Sequence, residues 1–224
     1  MADYAQTYGA LRGRVADLVG DADDDQLDRH VPAAPEWRVR DVVAHLSGVT
    51  ADINAGNLDG VATDAWTARQ VDARRDWSMD RLLEEWDTEA AKVEAVMATL
   101  PEVAVGQMTM DAATHEQDIR GGLERPGARD CDAVAIGFDW GIALVASMAD
   151  QADTTLLIET DTGSAMAGSG ARQVGLRVER YELFRTMTGR RSADQIRAFD
   201  WDGEPAPELL VFSIFEPRAT PLVE

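Results

Sequence analysis

Residues 108–123 carry apolar side chains at Met108, Ala112, Ile119 and Leu123, a spacing that puts all four on one side of an α-helix. The position that completes this stripe, between Ala112 and Ile119, is His115. An imidazole is thus aimed where a core residue belongs. Asp111 lies one turn before it and Asp118 nearly one turn after it, on the same side of the helix. Burying such groups without partners costs about 2–7 kcal/mol each. The helix must therefore meet either complementary groups on another element or a bound cation. Asp-x-x-x-His on one helical face is a workable pair of metal ligands, with an ordinary intrahelical ion pair as the alternative.

A third ligand has to come from elsewhere in the chain, which contains three histidines. His30 stands in Asp28-Arg29-His30-Val31-Pro32 and reads as loop. His45 borders the stripe Val42, Leu46, Val49 and Ile53 of a second helix, over residues 39 to about 54. A lone histidine at such an edge is ordinarily a hydrogen-bonded core or surface residue. Two helices that each bring a histidine to an apolar stripe suggest more: a site of His45, Asp111 and His115, with positions left open for water or substrate.

The other segments organise around these two. Residues 4 to about 19 read as a helix with Tyr8, Leu11, Val15 and Leu18 on one face. Ser78 caps a third, whose stripe runs through Leu82, Trp86, Ala90, Val93 and Met97 to Leu100 before Pro101. The helices containing Leu11, His45, Trp86 and His115 are expected to form one up-and-down bundle. Residues 132 to about 148 are apolar nearly all round and read as a well-buried helix of the same domain. The stretch containing Trp66 and Trp77 has no resolvable pattern. After residue 152 the texture changes. Residues 154–160 and 209–215 read as strands, 161–170 as a flexible Gly/Ser/Ala loop, and 180–188 as a helix closed by Gly189. The fold class is therefore α+β, a helical bundle over residues 1–152 followed by a small mixed α/β domain over 153–224.

Composition excludes several functions. The formal charge of −20 disfavours nucleic acid and anionic membrane surfaces as partners. No uninterrupted apolar run of about 18 residues suggests a membrane span, and the N-terminus lacks the basic-then-apolar layout of a secretory signal. The single cysteine, Cys131, rules out an intramolecular disulfide and a CxxC redox pair and fits a cytoplasmic protein.

The run Trp37-Arg38-Val39-Arg40-Asp41-Val42-Val43-Ala44-His45-Leu46, followed by the carboxylate-x-x-x-His-x-x-Asp helix, resembles the mycothiol-dependent maleylpyruvate isomerase family of DinB-like metal-binding bundles. The segment Tyr181-Glu182-Leu183-Phe184-Arg185-Thr186-Met187-Thr188-Gly189-Arg190-Arg191-Ser192 is similar to that family's C-terminal domain. The resemblance implies a DinB-like four-helix bundle with His45, Asp111 and His115 at the metal-ligand positions. It implies mycothiol as a low-molecular-weight thiol cosubstrate. The family's usual Glu is Asp111 here, so the shorter arm must bring its helix closer to the metal or leave the ligand water-bridged.

A site of two histidines and one carboxylate suits zinc or another divalent ion. Thiolate formed there can attack a small electrophile, as in S-transfer or isomerisation at an activated double bond. Asp41 and Asp118 are candidates for orienting the imidazoles, with helix N-terminal charge and surface pairing as the alternative. Arg190 and Arg191 are candidates for contacting an anionic substrate, with surface salt-bridge partners of this acidic chain as the alternative. The competing expectation is a non-catalytic bundle, with a structural metal or none, whose C-terminal domain docks a partner.

Overall fold

The computed structural model describes residues 3–224 and is α+β. The chain divides after Ala128 into two compact units.

The first unit is helical. Helix α1 (Tyr4–Gly20) starts on Asp3, whose side chain accepts from the Gln6 amide, and buries Tyr8, Leu11, Val15 and Val19. The short α2 (Asp24–Leu27) is held by a capping box between Asp23 and Gln26. Where a loop was expected around His30, strands β1 (His30–Val31) and β2 (Ala34–Arg38) form an antiparallel ribbon. The ribbon leads directly into α3 (Val39–Ala55), which ends at Gly56 with φ +73, a left-handed cap that favours glycine. The stretch without a readable pattern contains α4 (Asp64–Arg74). Helix α5 (Met79–Glu94) is capped by Ser78 as expected, and α6 (Glu102–Gly122) follows.

Helices α1, α5, α3 and α6 are the expected bundle, each packing on the next in a closed ring. Leu11, Leu46, Trp86 and Ile119 are fully buried. Two polar contacts pin this core. Trp86 Nε1 donates to the Tyr8 hydroxyl at 3.2 Å. Glu116, 1% exposed, pairs with Arg14 of α1 at 2.7 Å and with Arg120 at 2.9 Å.

The second unit contains α7 (Asp132–Gln151) and a sheet of β3 (Thr154–Thr160), β4 (Gly163–Ala167), β5 (Arg172–Arg177) and β6 (Asp200–Asp202). Strand order is β4-β3-β5-β6, with β3 and β5 parallel and the outer pairs antiparallel. Helix α7 packs against β3, β4 and α8 (Arg180–Met187), so it belongs to this unit and not to the N-terminal bundle in which the sequence reading placed it. Its apolar surroundings are also narrower than expected. Val134, Gly137, Phe138 and Val145 are buried, whereas Ala143 and Leu144 are exposed. By length and composition alone α7 could cross a membrane, but here its buried side serves as a core helix face.

Two further segments differ from expectation. Residues 161–170 are not a flexible loop. They contain β4, and Gly170 passes so close to the Asp153–Thr154 backbone that no Cβ could be accommodated. Residues 209–215 are not a strand. After a 3-10 turn at Pro207–Leu209, Leu210, Val211 and Phe212 plug the core, and the Phe212 amide donates to the Met187 carbonyl beyond the end of the α8 ladder. Met187 and Phe212 both reach α7 at Gly141, where a side chain would collide with them. The short α9 (Ala193–Arg197) is closed by a Ser192/Gln195 capping box.

Candidate metal centre

His45 on α3 and His115 on α6 face each other across the bundle, with ring centroids 4.9 Å apart. Asp111, one turn before His115, points its carboxylate between them. Its Oδ2 is 3.5 Å from His45 Nε2 and its Oδ1 is 3.6 Å from His115 Nε2. The three ligand atoms lie within 4.8 Å of one another. Both imidazoles are buried, while the Asp111 side chain is 38% exposed, so the cluster opens to solvent on the carboxylate side.

The outer nitrogens of the rings are tied down. His115 Nδ1 is 3.1 Å from Oδ2 of Asp118, which is wholly buried. A carboxylate accepts only, so His115 carries its proton on Nδ1. His45 Nδ1 is 2.7 Å from Gln70 Oε1. Gln70 in turn donates from Nε2 to Asp52 Oδ2 at 2.8 Å. That bond orients the amide and places the Nδ1 proton on His45 as well. Gln70 comes from α4, and the approach of α4 to α3 depends on Gly48, where a Cβ would stand 2.6 Å from the Gln70 Cβ.

These hydrogen bonds test whether the residues fit a cation. With both Nδ1 atoms protonated, each Nε2 presents a lone pair, and the Asp111 carboxylate presents more. Three acceptors converge with no donor among them, an arrangement that repels itself unless a cation or added protons lie between. Zinc bonds of about 2.0–2.1 Å set tetrahedral ligands roughly 3.3 Å apart, close to the two separations of Asp111 from the histidines. The donor set fits a divalent ion, and the shorter Asp111 arm reaches both histidines.

The remaining candidates fall elsewhere. Asp41 does not orient a histidine. It accepts from the Arg38 backbone amide and from Arg38 Nε and Nη2, each at 2.9 Å, and so closes the start of α3. Burial alone would raise its pKa, but these bonds hold the carboxyl below its ordinary value. Arg191 is not free to receive a substrate. Its Nε and Nη2 bind the Glu182 carboxylate at 2.6 and 2.8 Å, and its Nη1 binds Glu224 at 3.1 Å. Burial works against its charge and these carboxylates outweigh it. Arg190 donates to the Thr188 carbonyl at 2.6 Å and lies over the Phe215 ring. Both arginines belong to the second unit's own framework.

Two contributors escape sequence reasoning, Gln70 and Trp37. The Trp37 indole stacks on His115, with centroids 5.6 Å apart and planes at 23°, and lies 5.2 Å from His45. It stands at the end of β2, just before α3, and forms an apolar wall against both imidazoles. Nearby, burial pushes the Tyr8 phenol well above its ordinary pKa. The Trp86 hydrogen bond opposes that rise, and the negative charges of Asp111 and Glu94 add to it, so the hydroxyl stays neutral.

Comparisons with known proteins bear on the family and the fold. The chain belongs to the family of the mycothiol maleylpyruvate isomerase N-terminal domain, whose model matches residues 8–120. That span contains His45, Asp111, His115 and Asp118. In fold the chain is similar to the crystal structure of a histidine-to-alanine mutant of the mycothiol-dependent maleylpyruvate isomerase. The TM-score is 0.56 at 10% sequence identity, over 84% of this chain and 88% of that one. At such identity the likeness is one of fold. No curated protein matches the sequence significantly.

Proposed function

We propose that this protein is a metal-dependent thiol transferase or isomerase, located in the cytoplasm, that uses mycothiol as its low-molecular-weight thiol and acts on a small electrophile. The observation that carries the reading is the convergence of His45 Nε2, His115 Nε2 and the Asp111 carboxylate, with both Nδ1 atoms tied behind them. Membership of the mycothiol maleylpyruvate isomerase N-terminal domain family supports the choice of thiol.

A divalent cation at this site, zinc by its donor set, supplies Lewis acidity that stabilises a thiolate at neutral pH. The protein's own residues do the rest. His45, Asp111 and His115 hold the ion, and three protein ligands leave a position for an exogenous one. Asp118 and Gln70 keep both imidazoles in the ligating tautomer. Trp37 covers one side of the rings and limits water there. The exposed Asp111 side is the direction of approach.

The test is metal content of the purified protein, followed by mycothiol conjugation to a panel of electrophiles, with a His115→Ala variant alongside. About one divalent ion per chain and thiol conjugation that tracks occupancy support the proposal. Full conjugation by metal-free protein would overturn the mechanism, and absence of both metal and conjugation leaves a non-catalytic binding bundle.

A further inference from the structure

We infer that Gln70 and Asp52 are positioning residues for His45, acting as an oriented amide that decides whether this histidine can ligate. The inference rests on the metal centre proposed above. The two ends of a side-chain amide are nearly equal in size, so packing alone hardly distinguishes its two orientations. Asp52 does distinguish them. Its carboxylate only accepts, so the Gln70 nitrogen must face it, as found at 2.8 Å. Gln70 Oε1 is then turned to His45 Nδ1 at 2.7 Å, where it accepts from an N–H.

The consequence reaches the metal face of the ring. A neutral imidazole has one proton. Held on Nδ1, it leaves the lone pair of Nε2 directed at Asp111 and the cation position. In the reverse orientation the amide nitrogen would donate to Nδ1, the proton would sit on Nε2, and His45 could not ligate. A half-turn of one buried amide thus separates a two-histidine site from a one-histidine site. Gln70 is itself buried, but packing hardly tells its two amide ends apart, so the hydrogen bond to Asp52 sets the amide's direction. His115 is different, because the Asp118 carboxylate holds its Nδ1 directly.

The experiment compares wild type, Asp52→Ala, Asp52→Asn, Gln70→Leu and the Asp52→Ala/Gln70→Leu double variant. In metal-free protein, ¹⁵N NMR of the neutral His45 ring should place the proton on Nδ1 in wild type, and Asp52→Asn should give a mixture of the two tautomers. Asp52→Ala should shift population toward Nε2–H. Zn²⁺ affinity should fall about 10- to 100-fold in Asp52→Ala and in Gln70→Leu. The double variant should bind no more weakly than Gln70→Leu, because Asp52 acts only through Gln70. Asp52→Asn can donate as well as accept, so it no longer fixes the amide's direction and should lose Zn²⁺ affinity in the same sense as Asp52→Ala. Wild-type Zn²⁺ affinity and an intact Nδ1 proton in Asp52→Ala would overturn the inference, as would losses that add in the double variant. Wild type that binds no Zn²⁺ refutes the metal centre instead, and the NMR comparison still decides the amide's role.

Discussion

Gly48→Ala probes the proposed metal centre from a residue outside the candidate ligand set. The new Cβ would stand 2.6 Å from the Gln70 Cβ and 2.8 Å from its Cγ. Ordinary contact begins near 3.4 Å, so α4 must retreat by about 0.8 Å at this point. The same movement stretches the Gln70–His45 hydrogen bond from 2.7 Å to about 3.5 Å, past the range in which such bonds contribute. Two effects on stability oppose each other. Overpacking costs about 1–3 kcal/mol, while alanine in a helix interior gains about 1 kcal/mol over glycine. The net loss is therefore about 0–2 kcal/mol, small enough for the variant to fold. Metal binding responds more strongly, because His45 loses the partner that fixes its tautomer, and Zn²⁺ affinity should drop at least about tenfold. Thermal unfolding by circular dichroism gives the first quantity and Zn²⁺ titration the second. If stability falls while Zn²⁺ affinity stays at the wild-type value, the close approach at Gly48 serves packing alone and the link from α4 to the site is refuted.

Other outcomes follow from the same geometry. His45→Ala and His115→Ala should each weaken Zn²⁺ by more than the 10- to 100-fold typical of outer partners, whereas Asp111→Glu should retain binding; isothermal titration of the three variants decides this. Co²⁺ bound at the site should quench Trp37, so Trp37→Phe should lose most of the metal-dependent fluorescence change despite the other tryptophans. Glu116→Gln should cost roughly 2–3 kcal/mol in denaturant unfolding, below the 3–5 of a fully buried pair because Arg14 keeps contact with water. Asp41 has a depressed folded pKa, so its contribution is present above the unfolded value of about 3.9 and is lost as pH falls through the folded value. Asp41→Asn should accordingly be less stable than wild type near pH 7, and the difference should close in acid. Thermolysin should cut first in the wholly exposed segment 56–63, near Leu58 or Val61, and not in 163–170, where β4 is paired with β3.

How much of this was legible in the chain depends on the range of the interaction involved. The helices that build the bundle were readable because the 3.6-residue period, the Ser78 cap and the proline and glycine stops act within a turn or two. The candidate ligands on α6, Asp111 and His115, could be nominated for the same reason: with Asp118 they share a helical face by spacing alone, and the 3.1 Å contact of His115 with Asp118 repeats that spacing in space. His45 could be nominated from the border of its stripe, although its meeting with His115 is a property of how α3 packs on α6. Tertiary structure alone decided what lies behind and beside the ligands. Gln70 is 25 residues from His45, on a helix whose apolar pattern is too weak to read, and it reaches the ring only because Gly48 has no side chain. Asp41, at an equally suggestive spacing, turned to Arg38 because a free helix start needs its amides satisfied. Arg191 was claimed by Glu182 and Glu224 because a buried guanidinium requires carboxylates around it. The apolar run of 209–215 became a plug and α7 joined the sheet because hydrophobicity specifies burial but not the partner. Periodicity sets which face of a segment turns inward; which other segment it meets is decided by packing among residues far apart in the chain.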